Sequence, residues 1–368
     1  MKFNRTTVLV AFFAVSAILI TSCRDEKPEP PALIQEPTPF SLTLPKMWPP
    51  AKLHPQNPLT VEGIALGKKL FFDPILSRNQ TQSCASCHNQ DFGFTDFGKK
   101  VSVGSEGDLG TMNSMPLFNL NWNSGFFWNG RAKTLEDLVR EPIEAHFEMN
   151  LTMEESEFRL QNHKDYPELF KKAFPRSGIS ILNIQFAIAQ YLKTIISGNT
   201  KWDEYVRKNP RNPENFMTPA QKRGYTLFIN EEKGDCFHCH SPLNHLLVNL
   251  NEREFSNNGL DAKPDTGYLA VTGNPMDYGK FKMPSLRNLT FTAPYMHDGR
   301  FETLMQVLDH YDTGFNYSPT LDAMLLKHVD LQTLKPIKRL TIQEKQDIIE
   351  YLMLLTDSTL LTNPAYKP

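Results

Sequence analysis

Two pentapeptides constrain this chain more than anything else in it: Cys84-Ala85-Ser86-Cys87-His88 and Cys236-Phe237-His238-Cys239-His240. Both have the form C-x-x-C-H, the attachment signature of c-type haem. In such a motif the two thiols add across the haem vinyl groups, and the adjacent histidine, here His88 or His240, becomes the proximal iron ligand. A solitary C-x-x-C reads more readily as half a zinc site or a redox dithiol. Here a histidine follows each pair at once, the pattern occurs twice, and neither pair has a second C-x-x-C to complete a tetrahedral site. Two covalently held haem c groups are expected.

The N-terminus places that chemistry outside the cytoplasm. Lys2 and Arg5 precede an apolar run from Val8 to Ile20, which ends at Thr21-Ser22-Cys23. A charged start, a short apolar core and small residues before the cleavage point describe a signal peptide over residues 1–22. Cys23 stands where a bacterial lipobox places the cysteine that receives lipid, so a periplasm-facing protein anchored to a membrane only through that lipid is expected. Residues 23–45, rich in proline, read as an extended tether. The five cysteines then balance. Cys23 takes lipid, the other four take vinyl groups, and none is left for a disulfide.

A formal net charge of −2 gives no case for nucleic acid as a partner. The 25 phenylalanines and four tryptophans are ample for two haem pockets. The regions upstream of the two motifs resemble each other. A helix opening at Thr60 and ending in Leu70-Phe71 precedes the first. A helix over Thr218 to Phe228, with Thr218 as cap, Pro219 in the first turn and Gln221 completing a capping box, precedes the second. A long helix closes each half, Ile181 to Ile196 and Thr341 to Leu355, the latter with Thr341 and Glu344 as a capping box. The polar, proline-containing stretch Lys208 to Asn215 separates them. The spacing predicts a mostly α fold of two cytochrome c-like domains, residues 46–210 and 211–368, each with one haem c.

With these features in hand, the chain resembles the bacterial di-haem cytochrome c peroxidase family, which includes the MauG proteins. The landmarks run in the family's order: Leu70-Phe71-Phe72-Asp73-Pro74, Phe127-Trp128-Asn129-Gly130-Arg131-Ala132, Glu141-Pro142-Ile143 with Glu148-Met149, Pro284-Ser285-Leu286-Arg287-Asn288, and Thr292-Ala293-Pro294-Tyr295-Met296-His297-Asp298-Gly299. The resemblance implies that the N-terminal haem meets hydrogen peroxide while the C-terminal haem handles electrons from a small c-type cytochrome or similar donor. It implies that Glu148 is the acid–base residue at the peroxide. Trp128 would lie between the haems, and a calcium ion would be held by the Asn113 side chain with the Thr292 and Pro294 carbonyls. Homodimers are common in the family.

The axial ligand of the second haem separates subtypes. Where peroxidases with a high-potential haem carry methionine, fourteen residues after the histidine of Pro-Tyr-x-His-Asp-Gly, this chain has Tyr311, as MauG does. A hard phenolate donor in place of thioether sulfur lowers the potential. Met296, beside His297, is the alternative ligand. A second departure is Ser105, which stands where many relatives have a histidine that blocks the N-terminal iron, so that iron is expected to be open without reductive activation. Leu138 replaces a glutamine common near the distal pocket. Gly234 and Asp235 occupy the place of MauG's surface tryptophan, so MauG's own substrate is not carried over. His238 is expected to point away from the iron. His297 and His310 read as neighbours of the second haem, and His54, His146, His163, His245 and His328 as surface or structural residues. Three functions compete: a peroxidase fed by a cytochrome, a MauG-like enzyme oxidising an organic or protein substrate, and a non-enzymatic electron carrier.

Overall fold

A computed structural model describes residues 34–240 and 254–368. Cys23, the signal sequence and His245 lie outside the described residues. The fold is mostly helical, as the periodicity predicts. The described strands are four of two residues each, in two antiparallel pairs: β1 (Phe255–Ser256) with β2 (Phe281–Lys282), and β3 (Val329–Asp330) with β4 (Lys335–Pro336).

Helix α1 spans Val61–Phe72 and is capped by Thr60, whose hydroxyl accepts from Gly63 N–H at 3.0 Å. The short α2, Cys84–Cys87, carries the first motif. Helices α3 (Leu135–Glu144), α4 (Met153–Gln161), α5 (Tyr166–Ala173) and α6 (Ile181–Thr194) complete the first half, followed by α7 (Lys201–Lys208). In the second half α8 (Pro219–Phe228) leads to the second motif. After it come α9 (Leu269–Thr272), α10 (Leu304–Asp309), α11 (Ala323–Leu326), α12 (Ile342–Met353) and α13 (Ser358–Thr362). The capping boxes read from sequence at Thr218 and Thr341 both form.

The two halves share one packing device. α1 crosses α6 at Gly67, where a Cβ would sit 1.8 Å from the Ala187 carbonyl oxygen. α8 crosses α12 at Gly224, where a Cβ would sit 1.8 Å from the Asp347 carbonyl oxygen. Each glycine lies three residues before the Leu-Phe pair that ends its helix, Leu70-Phe71 and Leu227-Phe228. Backbone-to-backbone approach at that depth admits no side chain, so both helix pairs are locked in the same register. Phe71 and Phe228, in those pairs, are both fully buried.

Two large apolar clusters result, and the chain weaves between them. The first gathers Leu70, Phe71, Phe94, Ile143, Tyr166 and Tyr191 with their neighbours. Leu360 and Tyr366, from the far C-terminus, also belong to it. Gln90 Nε2 donates to the Leu360 carbonyl at 2.8 Å, just after the first motif. The second cluster centres on Phe228, Ile348 and Tyr351, and it takes in Trp202 of α7 from before the Pro-containing connection. Arg287 and Asp203 form a fully buried bidentate pair there, both N–O distances 2.7 Å.

Candidate functional site

The first motif is built on one helical turn. The backbone N–H of Ser83 donates to Ser86 Oγ at 3.0 Å and fixes the start of α2. Cys84 and Cys87, three apart, therefore project from one face. His88 follows at the helix end, and its Nδ1–H donates to the Phe94 carbonyl at 2.9 Å. A carbonyl only accepts, so the proton sits on Nδ1 and the Nε2 lone pair is left for a metal. Phe94 holds that carbonyl in place with a buried ring and φ of +62°. Burial holds His88 below the usual imidazole range, which keeps it neutral. Burial pushes the Cys84 thiol up to about 12 and raises Cys87 as well.

Glu148 is brought to this motif from the loop after α3. Its charge acts on the sulfurs of both Cys84 and Cys87. Burial raises its carboxyl above the ordinary range, the Arg131 guanidinium opposes that rise, and Glu141 adds to it. Arg131 is itself fixed, with its guanidinium 3.5 Å over the Phe127 ring and Nε donating to Glu141 at 3.0 Å. A half-buried carboxyl with a raised proton affinity, beside a cation, is suited to taking and returning a proton near neutral pH. The loop carrying Ser105 clasps this segment: Ser105 N–H donates to the Glu148 carbonyl at 2.7 Å and Ser105 Oγ to the Met149 carbonyl at 3.2 Å. Leu138 packs against the first apolar cluster.

The second motif lines a cavity with apolar walls that include Phe228, Leu286, Leu308, Ile348 and Leu352. Cys236, Cys239 and His240 enter from one side. His240 Nδ1–H donates to the Pro284 carbonyl at 3.1 Å, the counterpart of the His88 arrangement, and burial brings its imidazole down to about 4. His238 instead bonds the Asp235 carboxylate. Tyr311 and Met296 both line the same cavity. Tyr311 lies in a π-helical turn, His310–Gly314, that continues α10, the kind of local irregularity that re-aims side chains at functional sites. Its hydroxyl oxygen accepts from Asn258 Nδ2 at 3.3 Å, and the Met296 sulfur accepts from the same nitrogen at 3.5 Å. Burial pushes the Tyr311 phenol up to about 12. His297 stacks on Phe281 at 3.7 Å between ring centroids, and the buried His310 donates from Nε2 to the Asn258 carbonyl at 3.1 Å.

Trp128 joins the two sites. It comes from the first half yet lines the cavity of Cys236 and His240. Its Nε1–H donates to the Asn113 carbonyl at 2.8 Å. The next residue, Ser114, places Oγ 3.4 Å from His88 Nδ1 and donates to the Cys87 carbonyl at 3.0 Å. One peptide unit thus separates a contact of the first proximal histidine from a contact of Trp128. Asn113, Thr292 and Pro294 lie on the same cavity wall. Among the described residues no cluster of three histidine, cysteine or acidic side chains is arranged around a metal position.

The donor sets fit haem c: unbridged thiols with the motif spacing, histidines with Nε2 left free, and an apolar cavity at the second motif. Sequence reasoning missed Asn258, because one asparagine in the Ser256-Asn257-Asn258-Gly259 run carries no pattern that separates it from its neighbour. The only available signal was the Ser-Asn-Asn-Gly run, which reads as a turn.

Residues 61–211 match the family described as di-haem cytochrome c peroxidase. The chain is similar to methylamine utilization protein MauG of Methylorubrum extorquens, with 36% identity over 317 residues, 85% of this chain and 82% of that protein. It is similar to cytochrome c551 peroxidase of Pseudomonas aeruginosa, with 34% identity over 254 residues, 66% of this chain and 70% of that protein. Among solved structures, a MauG-like protein associated with microbial copper homeostasis aligns with a TM-score of 0.75 at 34% identity, covering 89% of this chain and 99% of that one.

Proposed function

Because this chain belongs to the di-haem cytochrome c peroxidase family, which takes in the MauG proteins, we propose that it reduces hydrogen peroxide outside the cytoplasm with electrons from a small c-type cytochrome or similar donor. The observation that carries this reading is Glu148, a carboxyl raised by burial and set beside Arg131 next to the first haem motif. Cys84, Cys87 and His88, and likewise Cys236, Cys239 and His240, would each hold one haem c, which would supply a redox-active iron able to accept and release electrons singly. Each peroxide consumes two electrons and two protons and yields two waters. Glu148 takes the proton from one peroxide oxygen and delivers it to the other as the O–O bond breaks, so no hydroxide has to leave unprotonated. Arg131 stabilises the carboxylate form between transfers. Trp128, bonded to Asn113 and facing the second cavity, offers an aromatic step for electrons travelling between the halves.

In this reading Tyr311 would be the further donor that this chain offers to the second haem, with Met296 as the alternative. Calcium bound by the Asn113 side chain and the Thr292 and Pro294 carbonyls would brace the wall beside Trp128; oxygen donors without a carboxylate suit a weakly held hard cation. Export through the 1–22 signal and lipid attachment at Cys23 account for a chain with no cysteine left over, and the halves 46–210 and 211–368 each carry one haem.

A second reading has an observation of its own. Tyrosine at 311, which as a ligand would lower the potential, together with 36% identity to a MauG protein, favours storage of oxidising equivalents for an organic or protein substrate. Mixing the ferric protein with peroxide, and then with reduced cytochrome c, separates these cases. Rapid turnover with cytochrome oxidation supports the peroxidase. A long-lived oxidised form that cytochrome c does not discharge supports the second reading, and no spectral response to peroxide removes both.

A further inference from the structure

The main chain around Asn258 is held from several directions. The side chain of the buried Asn257 donates to the hydroxyls of Ser318 and Thr320 at 3.0 Å each, and its carbonyl accepts from Asp322 N–H at 3.0 Å. The Gly259 carbonyl accepts from Asn316 N–H at 2.7 Å. Between them, the Asn258 carbonyl receives His310 Nε2–H at 3.1 Å, while its side-chain nitrogen meets Tyr311 Oη at 3.3 Å and Met296 Sδ at 3.5 Å. Residues 310 and 311 are neighbours in the π-helical turn, so they grip one asparagine at both of its ends.

We propose that Asn258 is the positioning residue that decides which atom closes the C-terminal haem iron, holding the Tyr311 oxygen in place against the Met296 sulfur. The inference rests on reading Tyr311 as the iron ligand and Met296 as its competitor. A hydroxyl or phenolate oxygen accepts hydrogen bonds far better than a thioether sulfur. A single amide that reaches both atoms therefore favours tyrosine. The backbone bond to His310 adds direction, because it sets the turn from which the phenol ring projects. Met296 is also in place rather than remote: it has φ of +77°, uncommon outside glycine, and its side chain faces the same cavity. Two ligand atoms stand ready, and the amide breaks the tie.

The test uses the full-length, haem-loaded protein carrying Asn258→Ala, and separately Asn258→Asp, which keeps the size and shape but replaces the donor with an acceptor. Both variants should lose part of the phenolate-to-iron charge-transfer absorption and gain a thioether-ligated population in absorption and electron paramagnetic resonance spectra. The midpoint potential of the C-terminal haem should rise, as thioether ligation raises it. Adding Met296→Leu to Asn258→Ala should remove the new population. Either variant, loaded with two haems yet unchanged in ligand spectrum and potential, overturns the proposal. If the unmodified protein itself shows no phenolate signature that Tyr311→Phe abolishes, the ligand reading fails first and the proposal falls with it, so the two failures are told apart.

Discussion

Ser105 donates its backbone N–H to the carbonyl of Glu148 at 2.7 Å, which ties the glycine-rich loop after the first motif directly to the residue proposed for proton transfer. No histidine occurs between His88 and Trp128, so this loop offers no imidazole to the first motif. Here the same loop serves as a clasp: Ser105 Oγ holds the Met149 carbonyl, and the Asn150 side chain reaches Glu106. The serine at 105 and the fixing of the Glu148 backbone thus belong to one short segment.

The clasp depends on Gly104. A Cβ there would lie 2.4 Å from the Phe147 carbonyl oxygen and 2.9 Å from that of Glu148, so the backbone on one side must give way. Gly104→Ala should leave both haems attached yet slow the reaction with peroxide by roughly 10²-fold, the scale of an ångström-sized misplacement of a reacting group. Stopped-flow rates together with the haem content of each variant check this.

The pH profile should report Glu148. Burial raises its pKa, so the ionised base is lost at a higher pH than for an ordinary glutamate as the solution is acidified. Removing the opposing cation with Arg131→Ala should move the acidic limb to higher pH, and Glu141→Gln should move it lower. Glu148→Gln should flatten the limb and cut the rate by about 10²–10⁴-fold. An unaltered rate in Glu148→Gln would remove this residue from the mechanism.

Trp128→Phe keeps an aromatic ring in the cavity wall and deletes the Nε1–H bond to Asn113. Peroxide should still react at the first site, while oxidation of the second haem after peroxide addition should slow. Rapid-scan spectra that follow the two haems separately make the comparison, with no slowing excluding Trp128 from the path.

Buried in the second cluster, Arg287 and Asp203 predict an acid-sensitive fold. The guanidinium and the Thr200 N–H and hydroxyl hold the Asp203 pKa down against the desolvation that would raise it. A depressed carboxylate contributes stability that is fully present above its unfolded pKa of about 4 and is lost as pH falls through the lower folded value. Asp203→Asn should remove that acid dependence and cost about 3–5 kcal/mol, since it breaks a buried bidentate ion pair by neutralising one partner. Thermal melts between neutral and acid pH measure both effects.

The sequence by itself determined the parts whose information is local. Two C-x-x-C-H motifs, the capped helices before them and the capping box at Thr341 each lie within a dozen residues, where spacing along the chain dictates geometry. Gly67 and Gly224 were visible too, although only the helix crossings explain them. What the tertiary structure decided involves partners far apart in the chain: Ser105 against Glu148, Asp203 against Arg287, Trp128 in the cavity of His240, and Asn258 between Met296 and Tyr311. No periodicity marks such residues, because their roles arise only when distant segments pack and a polar group in a low-dielectric interior must find a partner. The motifs specify two similar haem sites; the long-range contacts set Glu148 beside one of them and both Tyr311 and Met296 beside the other.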